Sequence, residues 1–370
     1  MDTGSEERER GVTVDIAQHH FSTDKVDFVI LDAPGHRDFV PNLIGGASMA
    51  DLAVLVVDAN QLESGMKGQT REHILLARAV GLSKIVVAVN KLDSTVPAWS
   101  EDAYLTVAAE VTKFLKEAGF TESDIAIVPC SGLGGENVVR PPGKDTAAAA
   151  AWIATSHKTL LQQLDTSVPA EAAEAAVKRP LRMQVADVFR GGVTNPLSVS
   201  GRLTAGNVQV GDTVLLQPSG EQGSVKGIEV GGGEGRDWAV AGQIATLHLT
   251  DIDAQHIRSG DVLCAAAQPV KVVKSFEAEV QVLESLLPQS VDVHLGRLHA
   301  PGAIAQLVAT VDGEGEVLRR KPRVVKAGQK AVVRVRVDGA GGVPVEGGEG
   351  MVLRSAGSTL AYGVVRQADV

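Results

Sequence analysis

The first 165 residues alternate short apolar runs with segments of helical periodicity. Four runs rich in Val and Ile are typical of strands buried on both faces: VDFVILD, DLAVLVVDA, KIVVAVN and DIAIVPC. In 101–119 the apolar positions recur at spacings of three and four, with Ser100 as a candidate N-cap and Gly119 as the residue after the last turn. The stretch AAAAAWIATSHKTLLQQLD predicts one more helix. The alternation predicts a doubly wound α/β domain.

The pattern changes after the stretch VPAEAAEAAVKRP, which we interpret as a linker. From Arg179 onward, alternating runs such as MQVADVF and DTVLLQP are broken every ~8–12 residues by Gly, Asp or Asn, as in all-β domains. A second such block begins near Val270 with KSFEAEVQVL. We therefore predict an α/β domain over 1–166, a linker over 167–178, and two β-barrel domains over 179–268 and 269–370.

Composition narrows the class of protein. Hydrophobic residues make up 44% of the chain, enough for two or three domains with their own cores. The only cysteines, Cys130 and Cys264, exclude a disulfide framework and a cysteine-based zinc site. The N-terminus MDTGSEERERG lacks the apolar core of a signal peptide, and no window approaches 18 uninterrupted apolar residues. We expect a monomeric cytoplasmic protein that does not bind membranes.

The charge is distributed unevenly. A net charge of −10 argues against generic nucleic-acid binding. From Val270 onward, however, there are 13 Lys and Arg against 11 Asp and Glu. One cluster in this part is strongly basic: Arg319, Arg320, Lys321, Arg323 and Lys326. It indicates either a local contact with a phosphate backbone or a solvated strand edge.

Residues that end the predicted strands are the first candidates for chemistry, because ligands of doubly wound sheets bind beyond the carboxyl ends of the strands. Asp32 and Gly35 follow the run VDFVIL. A carboxylate there can hold Mg²⁺ through its water shell, and a glycine lets a backbone N–H approach a terminal phosphate. Alone, the D-x-x-G pattern is weak, since it occurs in many turns.

Two later strand ends carry the candidates for base recognition. Asn90, Lys91 and Asp93 follow the run KIVVAV. An aspartate accepts two hydrogen bonds from N1–H and the exocyclic amine of guanine, whereas adenine offers no matching pair; the lysine stem can cover the base and the asparagine can brace the loop. The alternative is an Asn-Lys turn in which Asp93 caps a helix. Ser131 and Gly132 could turn backbone N–H groups toward a purine O6, although by themselves they are only a loop.

The order of these motifs is specific and resembles the translational GTPases. The quoted segments are similar to those of elongation factor 1 alpha, release factor three and their ribosome-rescue paralogue: ERERGVTVD, DAPGHRDFVPN, GQTREH and NKLD. RKPRVVKAGQKAVVRV and STLAYGVV resemble the third domain of this superfamily, so the similarity covers nearly the whole chain. It implies a partial GTP-binding domain of the P-loop type followed by two β-barrels.

The resemblance also implies cofactors and roles. With GTP or GDP and Mg²⁺ bound, Thr13 would ligate the metal and sense the γ-phosphate, and Asp32 would act in the second sphere of the metal. Gly35 would be the pivot of the second switch, and His36 would position the attacking water. The guanine would be read by Asn90, Lys91 and Asp93 and supported by Ser131, Gly132 and Leu133.

The branch of the superfamily follows from two further segments. FVPN at 39–42 and SGLGGEN look more like release and rescue factors than like the tRNA carrier, and EERERGVTVD looks more like rescue than release. The resemblance therefore implies a ribosome-rescue GTPase that contacts ribosomal RNA and carries a Pelota-like or release-factor-like protein cargo. A release factor three-like or elongation factor 1 alpha-like GTPase is the alternative.

A phosphate-binding P-loop, G-x-x-x-x-G-K-[ST], is expected before the first switch and does not occur in the sequence. The superfamily pattern implies that the first strand and first helix are missing with it, which would remove a central strand, expose apolar strand edges and weaken nucleotide binding. Either the chain is an incomplete version of a GTPase, or it is a hydrolysis-deficient module that binds the ribosome or a partner. A nucleotide-dependent oxidoreductase is excluded because no G-x-G-x-x-G follows a strand.

Overall fold

A computed structural model of the chain describes residues 17–369 apart from 33–39, 62–68, 145, 147, 168–169, 191–196, 232 and 340. These residues form an α/β domain, a short helix and two six-stranded β-barrels, which confirms the predicted fold class. The α/β domain and the helix that follows it contain β1 (Ala17–Ser22), β2 (Asp27–Asp32), α1 (Val40–Ala47), β3 (Leu52–Asp58), α2 (Gln69–Ala79), β4 (Lys84–Asn90), α3 (Glu101–Glu117), β5 (Ile125–Pro129), α4 (Ala151–Ser156), α5 (Leu160–Ser167) and α6 (Ala170–Val177).

The centre of the α/β domain is a parallel sheet in the order β3–β4–β5. Residues 85–89 of the middle strand are all buried, as the apolar run predicts for a strand with neighbours on both sides. Helix α3 packs on this sheet through Tyr104, Val107, Val111 and Leu115, which recur at helical spacing. The sheet and this helix share one hydrophobic core.

The outer edge of β3 has no partner strand among the residues that the structure describes. Strands β1 and β2 form a separate antiparallel hairpin in which Ala17 lies opposite Asp32. Val54 and Val56 of β3 are 44% and 62% exposed, and Ile30 of β2 is 42% exposed. The prediction that all four apolar runs are buried on both faces is therefore wrong for β2 and β3, because strands without neighbouring layers keep part of their apolar surface in water.

The helix ends follow local chemistry. Ser100 Oγ accepts a hydrogen bond from Ala103 N at 3.2 Å, and Gly119 has a φ of +95°, so both predicted caps of α3 are confirmed. The single helix predicted after it is wrong, since the structure has α4 and α5 with a break at 157–159. Thr159 and Gln162 hydrogen bond reciprocally, Gln162 N to Thr159 Oγ1 at 3.2 Å and Thr159 N to Gln162 Oε1 at 3.1 Å, which starts a new helix.

The first barrel closes through six strands in the order β10–β13–β7–β6–β14–β9, with β9 paired back to β10. Residues of β13 alternate between buried and half-buried positions, as expected when one face of a barrel strand fills the interior. Besides the six barrel strands, this domain has β11 beside β10 and a separate β8–β12 pair; its strands are β6 (Arg182–Arg190), β7 (Leu197–Ala205), β8 (Asn207–Gln209), β9 (Thr213–Gln217), β10 (Gln222–Val230), β11 (Glu234–Arg236), β12 (Trp238–Val240), β13 (Ile244–Thr250) and β14 (Val262–Ala265).

The second barrel closes in the order β17–β22–β23–β16–β20–β18, with β18 paired back to β17. Phe276, Val280 and Val282 on alternate positions of β16 lie in its core. Besides the six barrel strands, this domain has β19 beside β18 and a separate β15–β21 pair; its strands are β15 (Lys271–Val273), β16 (Ser275–Val282), β17 (Ser290–Leu295), β18 (Leu298–Val311), β19 (Val317–Arg320), β20 (Lys330–Val337), β21 (Val343–Val345), β22 (Gly350–Ser355) and β23 (Ser358–Asp369).

The three parts contact one another. The α/β domain meets the second barrel in a small apolar cluster of Ile44, Leu76, Ala79 and Val352. Asp51 forms an ion pair with Arg202 of the first barrel. Between the barrels, Arg182 forms an ion pair with Glu346 at 2.8 Å. Helices α1 and α2, which flank the strand β3, therefore lie against the second barrel.

Replacement of Gly350 by valine is expected to separate the α/β domain from the second barrel. A Cβ at this position would lie 2.8 Å from the carbonyl oxygen of Ala79, and a backbone atom cannot swing aside. Overpacking of this kind costs about 1–3 kcal/mol. In calorimetry, the α/β domain should unfold several degrees earlier, in a transition of its own. Gly341→Val, at a glycine of the same barrel with open space around it, is the control. Unchanged unfolding of the Gly350 variant would contradict the prediction.

Candidate functional site

The carboxyl ends of β3, β4 and β5 lie at one edge of the parallel sheet, and hydrogen bonds continue beyond the strands into the loops. Ala59 N donates to Asn90 O, and Cys130 N donates to Val89 O, both at 2.9 Å. This extension fixes the loop after each strand relative to the next. The structure thereby brings together the predicted base-reading residues of the N-K-L-D segment and the loop that starts at Ser131.

Asn90 connects two of these loops. Its Oδ1 accepts hydrogen bonds from Lys91 N and from Gly132 N, both at 2.8 Å. A Cβ on Gly132 would lie 3.4 Å from the Asn90 amide, so the loops are in contact at this point. The bracing suggested for the asparagine is present in the structure.

Asp93 lies in a single 3₁₀ turn, Leu92–Ser94, that begins after Lys91. Its side chain is exposed and has no hydrogen-bond partner among the described residues. No side chain caps this turn, so the alternative in which Asp93 caps a helix is not what the structure has. A carboxylate in this position retains the capacity to accept two hydrogen bonds from a ligand.

Lys91 has a left-handed backbone, with φ of 64°, and its ammonium group lies 2.8 Å from Asp58 Oδ2. Asn60 donates through Nδ2 to Lys91 O at 3.3 Å and to Ser94 Oγ at 3.0 Å. The sequence reasoning missed Asp58 and Asn60. The signal was available, because both follow an apolar strand at its carboxyl end, the same rule that singled out Asp32 and Asn90.

The loop after β5 is stabilised around Ser131, which is fully buried. Ser131 N donates to Glu136 O at 3.0 Å, and its own oxygens accept from Gly134 N at 3.2 Å and Gly135 N at 2.9 Å. These contacts close a tight turn. The serine is therefore a structural centre of the loop.

The backbone N–H groups of this loop differ in whether they can donate a hydrogen bond to a ligand. Those of Ser131 and Gly132 donate within the protein, to Glu136 O and Asn90 Oδ1, so neither is directed to a ligand as the sequence reasoning supposed. Among the described residues, no acceptor is found for the N–H of Leu133, whose side chain is 96% exposed. Leu133 is thus the member of the loop whose backbone can donate to a bound molecule.

Of the predicted metal-binding and catalytic residues, the structure describes only Asp32. Thr13, Gly35 and His36 lie outside the described residues. Asp32 ends β2, in the hairpin that does not pair with the β3–β4–β5 sheet, and its half-buried carboxylate is an oxygen donor of the kind Mg²⁺ prefers. Within the described part of the chain there is no cluster of three His, Cys, Asp or Glu able to hold a metal, and Cys130 and Cys264 are buried thiols.

Comparison with known proteins shows the family of the chain. The model of the elongation factor Tu GTP binding domain matches residues 1–170. Elongation factor 1-alpha of Thermoplasma acidophilum is 40% identical over 346 residues, which are 91% of this chain and 77% of that protein. The chain belongs to the elongation factor 1-alpha family of translational GTPases.

Another family member, Protein HBS1 of Drosophila melanogaster, is 33% identical over 380 residues, which cover 99% of this chain and 55% of HBS1. The chain thus spans little more than half the length of this relative. Among solved structures, bacterial selenocysteine-specific elongation factor EF-Sec has a TM-score of 0.73 at 21% identity, with 98% of this chain and 53% of that chain covered, which supports the fold alone. Among the described helices, none has the length and apolar character needed to cross a membrane.

Proposed function

We propose that this translational GTPase binds GTP and GDP with Mg²⁺ and acts on the ribosome. The observation that carries the proposal is the exposed, unpartnered carboxylate of Asp93 on a loop that Asn90 joins, through Gly132 N, to the loop with the free N–H of Leu133. Guanine presents two donors to a carboxylate and an acceptor O6 to a backbone N–H, whereas adenine presents neither in the same places. The geometry therefore favours guanine over adenine.

The residues expected to act on the phosphates are assigned by the family motif. Mg²⁺, when bound, neutralises charge that develops on the phosphates. Thr13 would hold it directly and Asp32 through its second sphere. Gly35 would allow the second switch to move, and His36 would hold the attacking water in line, since this reaction depends on placement more than on covalent help.

We propose a cargo that is a tRNA-mimicking protein of the Pelota type, so that the chain acts in ribosome rescue, as a cytoplasmic monomer. The FVPN and SGLGGEN segments support this branch, and so does the match to HBS1 along 99% of the chain. The second candidate, delivery of aminoacyl-tRNA, is favoured by the higher identity, 40%, to an elongation factor 1-alpha. The third candidate function is delivery of a protein cargo of the release-factor type by the same kind of GTPase.

The proposal is tested by nucleotide binding. Labelled GTP and ATP are titrated against the 370-residue chain and against the same chain with the N-terminal part of a longer relative fused ahead of it. We expect the fused protein to bind GTP and not ATP, and the shorter chain to bind GTP weakly, because no P-loop motif occurs in its sequence. Equal binding of both nucleotides by the fused protein would overturn the guanine assignment.

Co-purification separates the branches. The tagged chain is isolated from a cell extract, and Pelota, release factor one and charged tRNA are quantified in the eluate. Enrichment of Pelota supports the rescue proposal. Recovery of tRNA without either protein would replace it by the carrier function.

The basic cluster of the second barrel is proposed as the contact with ribosomal RNA. Its five residues lie on and just after the edge strand β19, are exposed, and form no salt bridge with any described carboxylate. Uncompensated cations at a strand edge attract a phosphate backbone. The cluster comprises Arg319, Arg320, Lys321, Arg323 and Lys326.

Triple replacement of Arg319, Arg320 and Arg323 by alanine is expected to weaken ribosome binding in a salt-dependent way. Loss of three phosphate contacts should reduce the slope of log affinity against log salt by about 2–3. Ribosome pelleting at several salt concentrations measures this slope. A control with the same change in charge replaces the exposed residues Lys25, Lys113 and Lys144 by alanine. If both triple variants lower the slope equally, the cluster is not the contact.

A further inference from the structure

The end of β3 and the loop after it form hydrogen bonds with the base-reading loop after β4, in addition to those of Asn90. Asp58 Oδ2 accepts a hydrogen bond from Lys91 Nζ at 2.8 Å, and Asp58 Oδ1 accepts from Asn60 N at 2.9 Å and from Asn60 Nδ2 at 3.3 Å. Asn60 Nδ2 also reaches Lys91 O and Ser94 Oγ. Asp58 and Asn60 are separated from these partners by 31 to 34 residues in the sequence, so the contacts join two distinct loops.

Lys91 is held at each of its polar groups. Its N–H donates to Asn90 Oδ1, its carbonyl accepts from Asn60 and from Ser94 Oγ, and its ammonium group donates to Asp58. A left-handed backbone is uncommon for a residue with a side chain, and such a conformation persists where its surroundings impose it. This conformation sets the direction in which the chain enters the turn that carries Asp93, two residues later.

The charge state of Asp58 suits this role. Partial burial alone would raise the pKa of its carboxyl group, but the hydrogen bond from Lys91 and those from Asn60 outweigh that effect and lower the pKa. The group therefore stays ionised at neutral pH, where it attracts the ammonium group. The far end of the lysine side chain is thereby anchored to the end of β3.

We infer that Asp58 and Asn60 are positioning residues for purine recognition: by fixing Lys91 they direct the Asp93 carboxylate toward the N1–H and exocyclic amine of a guanine base. This inference rests on the proposed function and adds two residues to its specificity machinery. A purely structural role makes a different prediction. The Asp58–Lys91 pair is exposed on the lysine side, and exposed ion pairs contribute little to stability. Its loss should then change neither folding nor base preference.

The test compares nucleotides that differ only at the base. Affinities for GDP, inosine diphosphate and ADP are measured on whichever of the two proteins described above binds GTP. Inosine keeps N1–H and O6 but lacks the exocyclic amine, so the ratio of GDP to inosine diphosphate affinity reports how well Asp93 is aimed. We expect this ratio to be about 10 or more for the unaltered protein. Asp58→Asn and Asn60→Ala should each lower it several-fold, with unchanged melting temperature.

A matched control removes an ion pair elsewhere in the same domain. Lys116 and Glu122 form an exposed pair at 2.9 Å before the amino end of β5, whereas the base loops follow the carboxyl ends of the strands, and Glu122→Gln should leave the ratio unchanged. An unaltered protein that binds GDP, inosine diphosphate and ADP equally, or none of them, would refute the proposed function itself. An unaltered protein that prefers GDP, with variants that keep the same ratio, would refute this inference alone. If Asp58→Asn does not fold, Asn60→Ala decides, because it leaves the Asp58–Lys91 pair in place.

Discussion

The Asp93→Ala variant is expected to lose guanine recognition. The side chain is exposed, has no partner among the described residues, and lies on a loop that hydrogen bonds to Asp58 and to Gly132. Two hydrogen bonds to a charged group contribute about 1.5–3 kcal/mol each. Their loss should weaken GTP binding by about 100-fold or more, while ATP binding stays as weak as before. Titration of both labelled nucleotides against the fused protein described above, with and without the replacement, measures the change.

The control for this variant is Asp24→Ala, which removes an exposed carboxylate in the β1–β2 turn, outside the β3–β4–β5 edge. It changes the net charge by the same amount and should leave GTP affinity unaltered. If the Asp93→Ala variant binds GTP as tightly as the unaltered protein does, the carboxylate does not recognise the base. Circular dichroism of both variants verifies that the fold is retained.

The Gly363→Ala variant is expected to unfold the second barrel. Gly363 lies opposite Val280 in the β16–β23 pair, and a Cβ there would be 1.8 Å from the carbonyl oxygen of Glu279. The three nearest atoms are all backbone atoms of Glu279 and Val280, so a change of rotamer cannot relieve the contact, and the two strands must move apart and lose ladder hydrogen bonds. We expect a destabilisation above about 4 kcal/mol. Urea unfolding followed by circular dichroism measures it.

Gly313→Ala is the matched control, because that glycine of the same barrel has open space around it and no positive φ. Its transition should coincide with that of the unaltered chain. The first barrel has its own closed sheet and core, so part of the β-sheet signal of Gly363→Ala should survive. A midpoint for Gly363→Ala equal to that of the control would contradict the close contact.

The sequence predicted those features that depend on neighbours along the chain. Ser100 and Gly119 mark the ends of α3, and the Val-rich run at 85–89 forms a fully buried central strand, because caps and strand patterns are local. The N-K-L-D loop was found from the rule that ligands bind at strand ends. In each case the side chain that decides the structure lies within a few residues of its effect.

Features that depend on distant contacts were missed. Asp58 and Asn60 hydrogen bond to residues more than 30 positions away, and no local pattern pairs them. The N–H groups of Ser131 and Gly132 are taken by acceptors that only the folded loops bring near. The apolar run of β3 by itself predicts a buried strand, and only the resemblance, which implies a missing central strand, predicted exposed strand edges, since a run of valines does not reveal which neighbours its strand will have.

The uncovered edge of β3 makes protein concentration a variable in every experiment on this chain. Among the described residues, no strand pairs with this edge, and Val54 and Val56 project from a strand whose outer backbone groups lack ladder partners. Such an edge is a template for an extended segment of another molecule. The rate at which two chains meet through this edge grows with the square of the protein concentration. Dilute, freshly prepared samples therefore contain single molecules, whereas in concentrated stocks the fraction of single molecules falls with storage time.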